Sequence, residues 1–288
     1  MMKSAHYKAS VKPGLFYAYP LQISVFTYMP CFAILRAISS TAVDSMSNIL
    51  VFDTSSAWCS VALSVQGVIY SVAEMQPRKH AQLIMPMIED VCQRAGVKPA
   101  ELDGIAFGKG PGSFTGLRIA ISVAQGLSLA TGARLYGISS LAALAWQGMR
   151  QIAKVADGSA DGQQVLAMMN AHMGEVFYGA YCSSDGGLET VIEDRLAQPE
   201  GVDISTLTAN DWIGMGDGFQ FISDMPENVS MLKSINEDVY PLAESMMDLA
   251  IRAWNEGSFT AAELQQPVYL RDTVAWKKLA EQPSLLKR

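Results

Sequence analysis

Two short stretches of this chain combine backbone geometry and side chains suited to holding an anion. In the first, the apolar run 48–53 (NILVFD) ends in Asp53, followed by the hydroxyls of Thr54, Ser55 and Ser56. In the second, 103–116 (DGIAFGKGPGSFTG), Gly108, Gly110, Pro111, Gly112 and Gly116 surround Lys109, Ser113 and Thr115. So many glycines in one turn imply a backbone that takes positive φ and lets another group approach closely. A strand ahead and a helix behind would add free N–H groups and the positive end of a helix dipole, which suits phosphate. Each stretch also has a purely structural reading. Asp53 can brace its own turn by side-chain hydrogen bonds, and the glycines can serve only a tight βα connection. The second stretch is neither GxxxxGK[ST] nor GxGxxG.

Other chemistries find little support. The histidines are His6, His80 and His172, with no HxxH, HxxxH or HExxH spacing, so no metal site is expected. Cys31, Cys59, Cys92 and Cys182 are scattered with no CxxC pair, as expected of reduced thiols in a cytoplasmic protein. GxSxG is absent, which argues against a nucleophile elbow. The net charge of −7 argues against strong nucleic-acid binding by this chain alone. Its one basic concentration, Arg271, Lys277, Lys278, Lys287 and Arg288, reads most simply as solvated. Charged residues make up only 17% of the chain, so part of the surface is expected to be covered by a partner.

The elements that must position these stretches follow from periodicity. Residues 48–53 read as a buried strand, and 57–65 and 68–74 as two more joined at Gln66-Gly67, a hairpin signal. Residues 79–95 read as a helix with a kink or break at Pro86. Leu83, Ile84, Met87, Ile88, Val91 and Cys92 share one face, widened by Ala81, Met85 and Ala95. That face exceeds the roughly 100° stripe a surface helix needs, so it is expected to meet both its own core and another chain. Strand 104–108 precedes the glycine turn. Helix 117–130, with Ser113 or Thr115 as N-cap, is uncharged after Arg118. Strand 134–138 and helix 139–148 complete a βββαβαβα order, with parallel strands implied by the crossovers. After a polar join at 151–162 the pattern returns: strand 164–170, turn 171–174, strands 175–182 and 188–195, helix 199–207, strand 211–215 with a short helix after it, and helix 241–256. Set side by side, 51–63 (VFDTSSAWCSVAL) and 168–180 (MMNAHMGEVFYGA) share strand, polar turn and strand, which suggests a duplication.

Five segments carry a family resemblance: FDTSS (52–56), PRKHAQLIMPMI (77–88), AFGKGPGSFTGLRIAISVAQGL (106–127), GEVFYGAY (174–181) and PVYLRDTVAWKK (267–278). Over about residues 47–278 the chain resembles the YeaZ-like, glycoprotease-like TsaB family of tRNA threonylcarbamoyladenosine (t6A) biosynthesis proteins. The resemblance implies an α/β fold of the actin/Hsp70/sugar-kinase (ASKHA) type, in two duplicated lobes, each a mixed sheet flanked by helices. It implies a non-catalytic scaffold for TsaD, which transfers threonylcarbamoyl to N6 of adenosine 37 in ANN-decoding tRNAs. The ATPase TsaE joins them, tRNA is met through the complex, and the chain alone is expected to be a homodimer.

The resemblance also places the sites. The pairing surface falls on helices 79–95 and 117–130, with His80, Leu83, Ile84, Met87, Ile88, Val91, Arg118, Ile121 and Gln125 as interface residues. Charge at Ile84 or Val91 is then expected to split the complex without unfolding the chain. The cleft that cradles ATP elsewhere in the fold would fall on Asp53, Thr54, Ser55, Lys109, Gly110, Gly112 and Ser113, with weak ATP or ADP binding at most. Where the catalytic relative has an HxxxH metal helix, this chain reads Gly137-Ile138-Ser139-Ser140-Leu141, so no catalytic residue and no peptidase activity are expected. The family's frequent Asp-Ala-Arg in the second turn is Asn170-Ala171-His172 here, which weakens any case for nucleotide or tRNA contacts there. The competing reading is an ATP-dependent kinase or ATPase built on Asp53 and the 108–116 turn. The expected domains are an N-terminal lobe at 46–150, which binds the partner, and a C-terminal lobe at 151–288. Residues 1–45 fall outside the resemblance, and Pro20 and Pro30 break their apolar stretch 15–35 against a signal-peptide reading. Met46 is therefore the expected start, with 1–45 a poorly ordered or non-native extension; no membrane association is expected.

Overall fold

A computed structural model describes residues 47–155, 161–207 and 211–271. The expectations for residues 1–45 and for Lys277, Lys278, Lys287 and Arg288 lie outside the described residues. The first sheet comprises β1 (Ile49–Asp53), β2 (Trp58–Val65), β3 (Val68–Met75), β4 (Gly104–Gly110) and β5 (Arg134–Ser139), in the order β3-β2-β1-β4-β5. The second comprises β6 (Gln164–His172), β7 (Glu175–Ser184), β8 (Gly187–Ala197), β9 (Ile213–Met215) and β10 (Ser234–Asn236), in the order β10-β9-β6-β7-β8. Reversed, that order matches the first. In each sheet the meander pairs antiparallel and the last two strands pair parallel. The duplicated mixed-sheet architecture expected of the sequence is therefore present.

The helices are α1 (His80–Ala95), α2 (Phe114–Thr131), α3 (Ser140–Val155), α4 (Glu227–Ser230) and α5 (Ala243–Asn255). Strand β1 is buried throughout, and its side chains alternate between two cores, as the two-residue period requires. Leu50 and Phe52 meet Ile84, Val91, Phe107 and Ile121 under α1 and α2. Ile49 and Val51 meet Ala143, Met246 and Ala250 of α3 and α5. Helix α3 also packs on the second sheet through Leu144 and Met149 against Val165 and Ala167. Thus α3 and α5 form the layer between the sheets, and short turns with α4 cover the far face of the second sheet.

Several boundaries differ from the sequence reading. Helix α1 is continuous through Pro86; the proline gives up one helical N–H, and its ring lies on the exposed side. Helix α3 runs past Gly148 to Val155. Of the helix read at 199–207, only the 3-10 turn Pro199–Gly201 forms. The three-residue β10 is too short to show periodicity and has no counterpart among the expected strands. After Leu242 the chain returns to the first sheet, where α5 packs on β1 and β2 and Thr260 bridges Leu135. A lobe boundary at residue 150 therefore follows the strands but not the last helix.

Candidate functional site

The Asp53 turn and the glycine loop are packed into each other. The Ser55 backbone N–H and hydroxyl both donate to Asp53 Oδ1, each at 2.9 Å, an Asx turn built from neighbouring residues. Thr54 Oγ1 donates to the Gly116 carbonyl at 2.8 Å, and Ser113 N–H donates to the Ser55 carbonyl at 2.8 Å. The approach is close enough to require glycine. A Cβ at Gly116 would lie 1.9 Å from the Thr54 oxygen, and one at Gly108 would lie 1.9 Å from Asp53 Oδ2. Ser113 caps α2, accepting from Gly116 N–H at 3.3 Å. The packing reading of the glycines is therefore the one the geometry supports.

The residues expected to form a phosphate cleft separate into three groups. Asp53 and Thr54 are fully sealed, and burial pushes the Asp53 carboxyl up to about 7, against the lowering effect of its Ser55 hydrogen bonds. Ser55, Gly112 and Ser113 line a cavity of about 660 Å³ together with His80, Asn170 and His172. Lys109 and Gly110 are not part of that wall. The Lys109 carbonyl accepts from Val268 N–H at 2.7 Å, and the charge of Lys109 acts on Asp194. Asp194 takes hydrogen bonds from Ser139 Oγ at 2.6 Å and from the Tyr181 hydroxyl. Burial still holds Asp194 above the usual carboxylate range. Ser139 lies on the first sheet and Asp194 on the second, so this polar cluster ties the two together.

The expected interface residues also divide. Ile84, Met87, Ile88, Val91 and Ile121 belong to the core beneath α1 and α2, and His80 is buried. These six are buried, Ile84 where it also borders the gap between α1 and α2, and charge at Ile84 or Val91 would enter the core. Leu83 packs partly against that core. Gln125 is exposed, and its side-chain amide donates to the Ala262 and Gln265 carbonyls. Arg118, two turns earlier on α2, is also exposed, with its guanidinium 3.9 Å from the centre of the Phe114 ring. There a groove of about 510 Å³ runs between the helices, with Ala81, Met85, Phe114, Arg118, Ile119 and Val123 on its walls and the buried Ile84 at its floor. Phe114 is 49% exposed and Met85 39%, and beyond the groove on α2 Leu129 is 90% exposed. The two helices expected to form the pairing surface bear an open apolar face, whose exposed members on α1 are Ala81 and Met85, beside the buried Ile84. Ala81 and Met85, which widened the apolar stripe, were the available signal.

Comparison with known proteins settles the family. Residues 63–279 match the family model TsaD, tRNA N6-adenosine threonylcarbamoyltransferase. The chain is 35% identical over 238 residues to the tRNA threonylcarbamoyladenosine biosynthesis protein TsaB of Escherichia coli, covering 81% of this chain and 98% of that one. The chain belongs to the TsaB family. The Haemophilus influenzae TsaB is 31% identical, over 81% of this chain and 97% of its own. Among solved structures, YeaZ from Pseudomonas aeruginosa matches with a TM-score of 0.71 and 38% identity, covering 78% of this chain and all of that one. Residues 137–141, the stretch from the end of β5 into α3, lie within that TsaD match. Ser140 and Leu141 there are fully buried.

Proposed function

We propose that this protein serves tRNA threonylcarbamoyladenosine biosynthesis as a non-catalytic subunit. It docks a TsaD-type transferase on the outer face of α1 and α2. The observation that carries this reading is the open apolar groove between those helices, continued by Leu129 on a helix whose only charged residue is Arg118. A face of Met, Phe, Ile and Val beside an Arg stacked on an aromatic ring has the composition of an interface centre. In this reading a TsaE-type ATPase joins the complex in the cytoplasm, tRNA is met through the assembly, and the lone chain pairs with itself through the same face.

The glycine loop supports the non-catalytic assignment over a kinase-like one. Ser113 N–H, which a phosphate would use, is committed to Ser55, and both Asp53 and Thr54 are sealed. Light scattering on the chain, alone and mixed with a TsaD-family partner, tests the proposal together with a transfer assay on the lone chain. A dimer that gives way to a hetero-complex, with no transfer by the chain alone, is the expected result. A strict monomer indifferent to the partner, or ATP turnover by the lone chain, would overturn it.

A further inference from the structure

The docking reading leaves one motif unexplained, PVYLRD at 267–272. Its described part is an irregular segment that crosses from the first sheet to the second. Gln265 Oε1 accepts from Gly137 N–H at 3.0 Å, on β5. Val268 N–H donates to the Lys109 carbonyl at 2.7 Å, at the end of β4. Tyr269 then reaches the first turn of α2. Its ring centre lies 5.2 Å from that of Phe114, and Arg118 Nε donates to its hydroxyl at 3.4 Å. Leu270 packs on the core of the second sheet. Arg271 pairs with Glu175 and donates to the Ala171 carbonyl at 3.2 Å and the His172 carbonyl at 3.4 Å. One short stretch thus holds two residues of the groove wall at one end and the β6–β7 turn at the other.

Resting on the docking reading, we infer that residues 265–271 are a strap that positions the partner-docking groove. Tyr269 is the residue that fixes Phe114 and Arg118, and Arg271 is the anchor that fixes Tyr269 to the second sheet. Phe114 and Arg118 form a three-part stack with Tyr269 on the exposed surface. An aromatic ring and a guanidinium lose rotamer freedom on docking, so a third group that already orders them lowers that cost. Arg271 is half-buried against Glu175, and its three acceptors all belong to the β6–β7 turn. The groove on the first sheet's helices is thereby held by the second sheet.

The test measures affinity of the full chain for a TsaD-family partner by calorimetry, alongside melting temperature. Tyr269→Ala is expected to weaken docking about tenfold, on the scale of an interface hot spot. Tyr269→Phe keeps the ring contact and stays within about twofold of wild type. Arg271→Ala weakens docking by several-fold. Arg252→Ala, which removes an exposed pair with Glu256 away from the strap, leaves docking unchanged. Wild-type affinity in both Tyr269→Ala and Arg271→Ala would overturn the inference. So would a loss in Tyr269→Phe as large as in Tyr269→Ala, or an affinity loss that merely follows a fall in melting temperature across all four variants. If the wild-type chain itself does not dock, the docking reading fails and the strap's role fails with it.

Discussion

The two repeats of this protein solve the same local problem and then diverge. In the first, Ser55 N–H donates to Asp53 Oδ1 at 2.9 Å; in the second, His172 N–H donates to Asn170 Oδ1 at 2.8 Å. Both turns end the first strand of a meander, and both meet a glycine-bearing loop from the neighbouring parallel strand. In the first repeat that loop seals Asp53 and Thr54. In the second, Asp217 accepts from Asn170 N–H at 2.9 Å, while His172 stays exposed. The larger divergence follows the third strand of each meander. The first repeat inserts α1 and α2, of 16 and 18 residues. Among the described residues, the second has a three-residue 3-10 turn at one of those places and a 3-10 stretch with four-residue α4 at the other. The second repeat closes its own core without long helices, whereas α1 and α2 both complete the first core and carry an apolar surface beyond it.

Charge on the inner face of α1 should have the largest effect. Val91 is fully buried, and Val91→Glu places an unpaired carboxylate in the first core, at a cost of about 3–5 kcal/mol. Denaturant titration should show a chain unfolded or nearly so; a normally stable Val91→Glu would mean that α1 is an appendage and not part of its repeat.

Asp53→Asn makes the first turn chemically like the second. The folded value of Asp53 is about 7 against an ordinary 3.8. Between these pH values the folded protein therefore retains a proton that the unfolded chain has released. Stability from this group is fully present below about pH 4 and declines as pH rises towards 7, by up to about 4 kcal/mol. Denaturation curves from pH 4 to pH 8 should show that decline in the wild type and a flatter profile in Asp53→Asn. Parallel profiles would show that the first turn is not tuned by burial.

The loop contacts give smaller effects. Gly116→Ala forces its Cβ against the Thr54 carbonyl and should cost about 1–3 kcal/mol as overpacking. Asp217→Ala removes the acceptor of Asn170 N–H in the looser second repeat and should cost about 1 kcal/mol. Equal losses in thermal melts would mean that the two loops are packed alike, against the comparison drawn above.

Much of this was legible in the sequence. Continuous apolar runs such as NILVFD and VLAMM give buried strands because side-chain pattern and burial are local properties. The duplication was visible in the paired strand, turn and strand of 51–63 and 168–180. Which side of α1 faces outward was not legible, because Ile84 and Met85 are adjacent apolar residues, and only the sheet beneath decides between them. The role of the glycine loop was also open, since its partner, Thr54, lies 62 residues away in the chain. The same holds for Tyr269, whose contacts at Phe114 and Arg118 are reached only after the chain has built the whole second sheet.

The central claim is that α1 has an inner face for folding and an outer face for docking: Ile84 is buried at the floor of the groove, and Met85, the next residue, is exposed at its rim. The most direct measurement is light scattering with a TsaD-family partner on Met85→Asp and Ile84→Asp, each with a melting curve. The account predicts that Met85→Asp melts near wild type but forms no hetero-complex, whereas Ile84→Asp loses its cooperative melt. A Met85→Asp chain that binds the partner at full strength would contradict it.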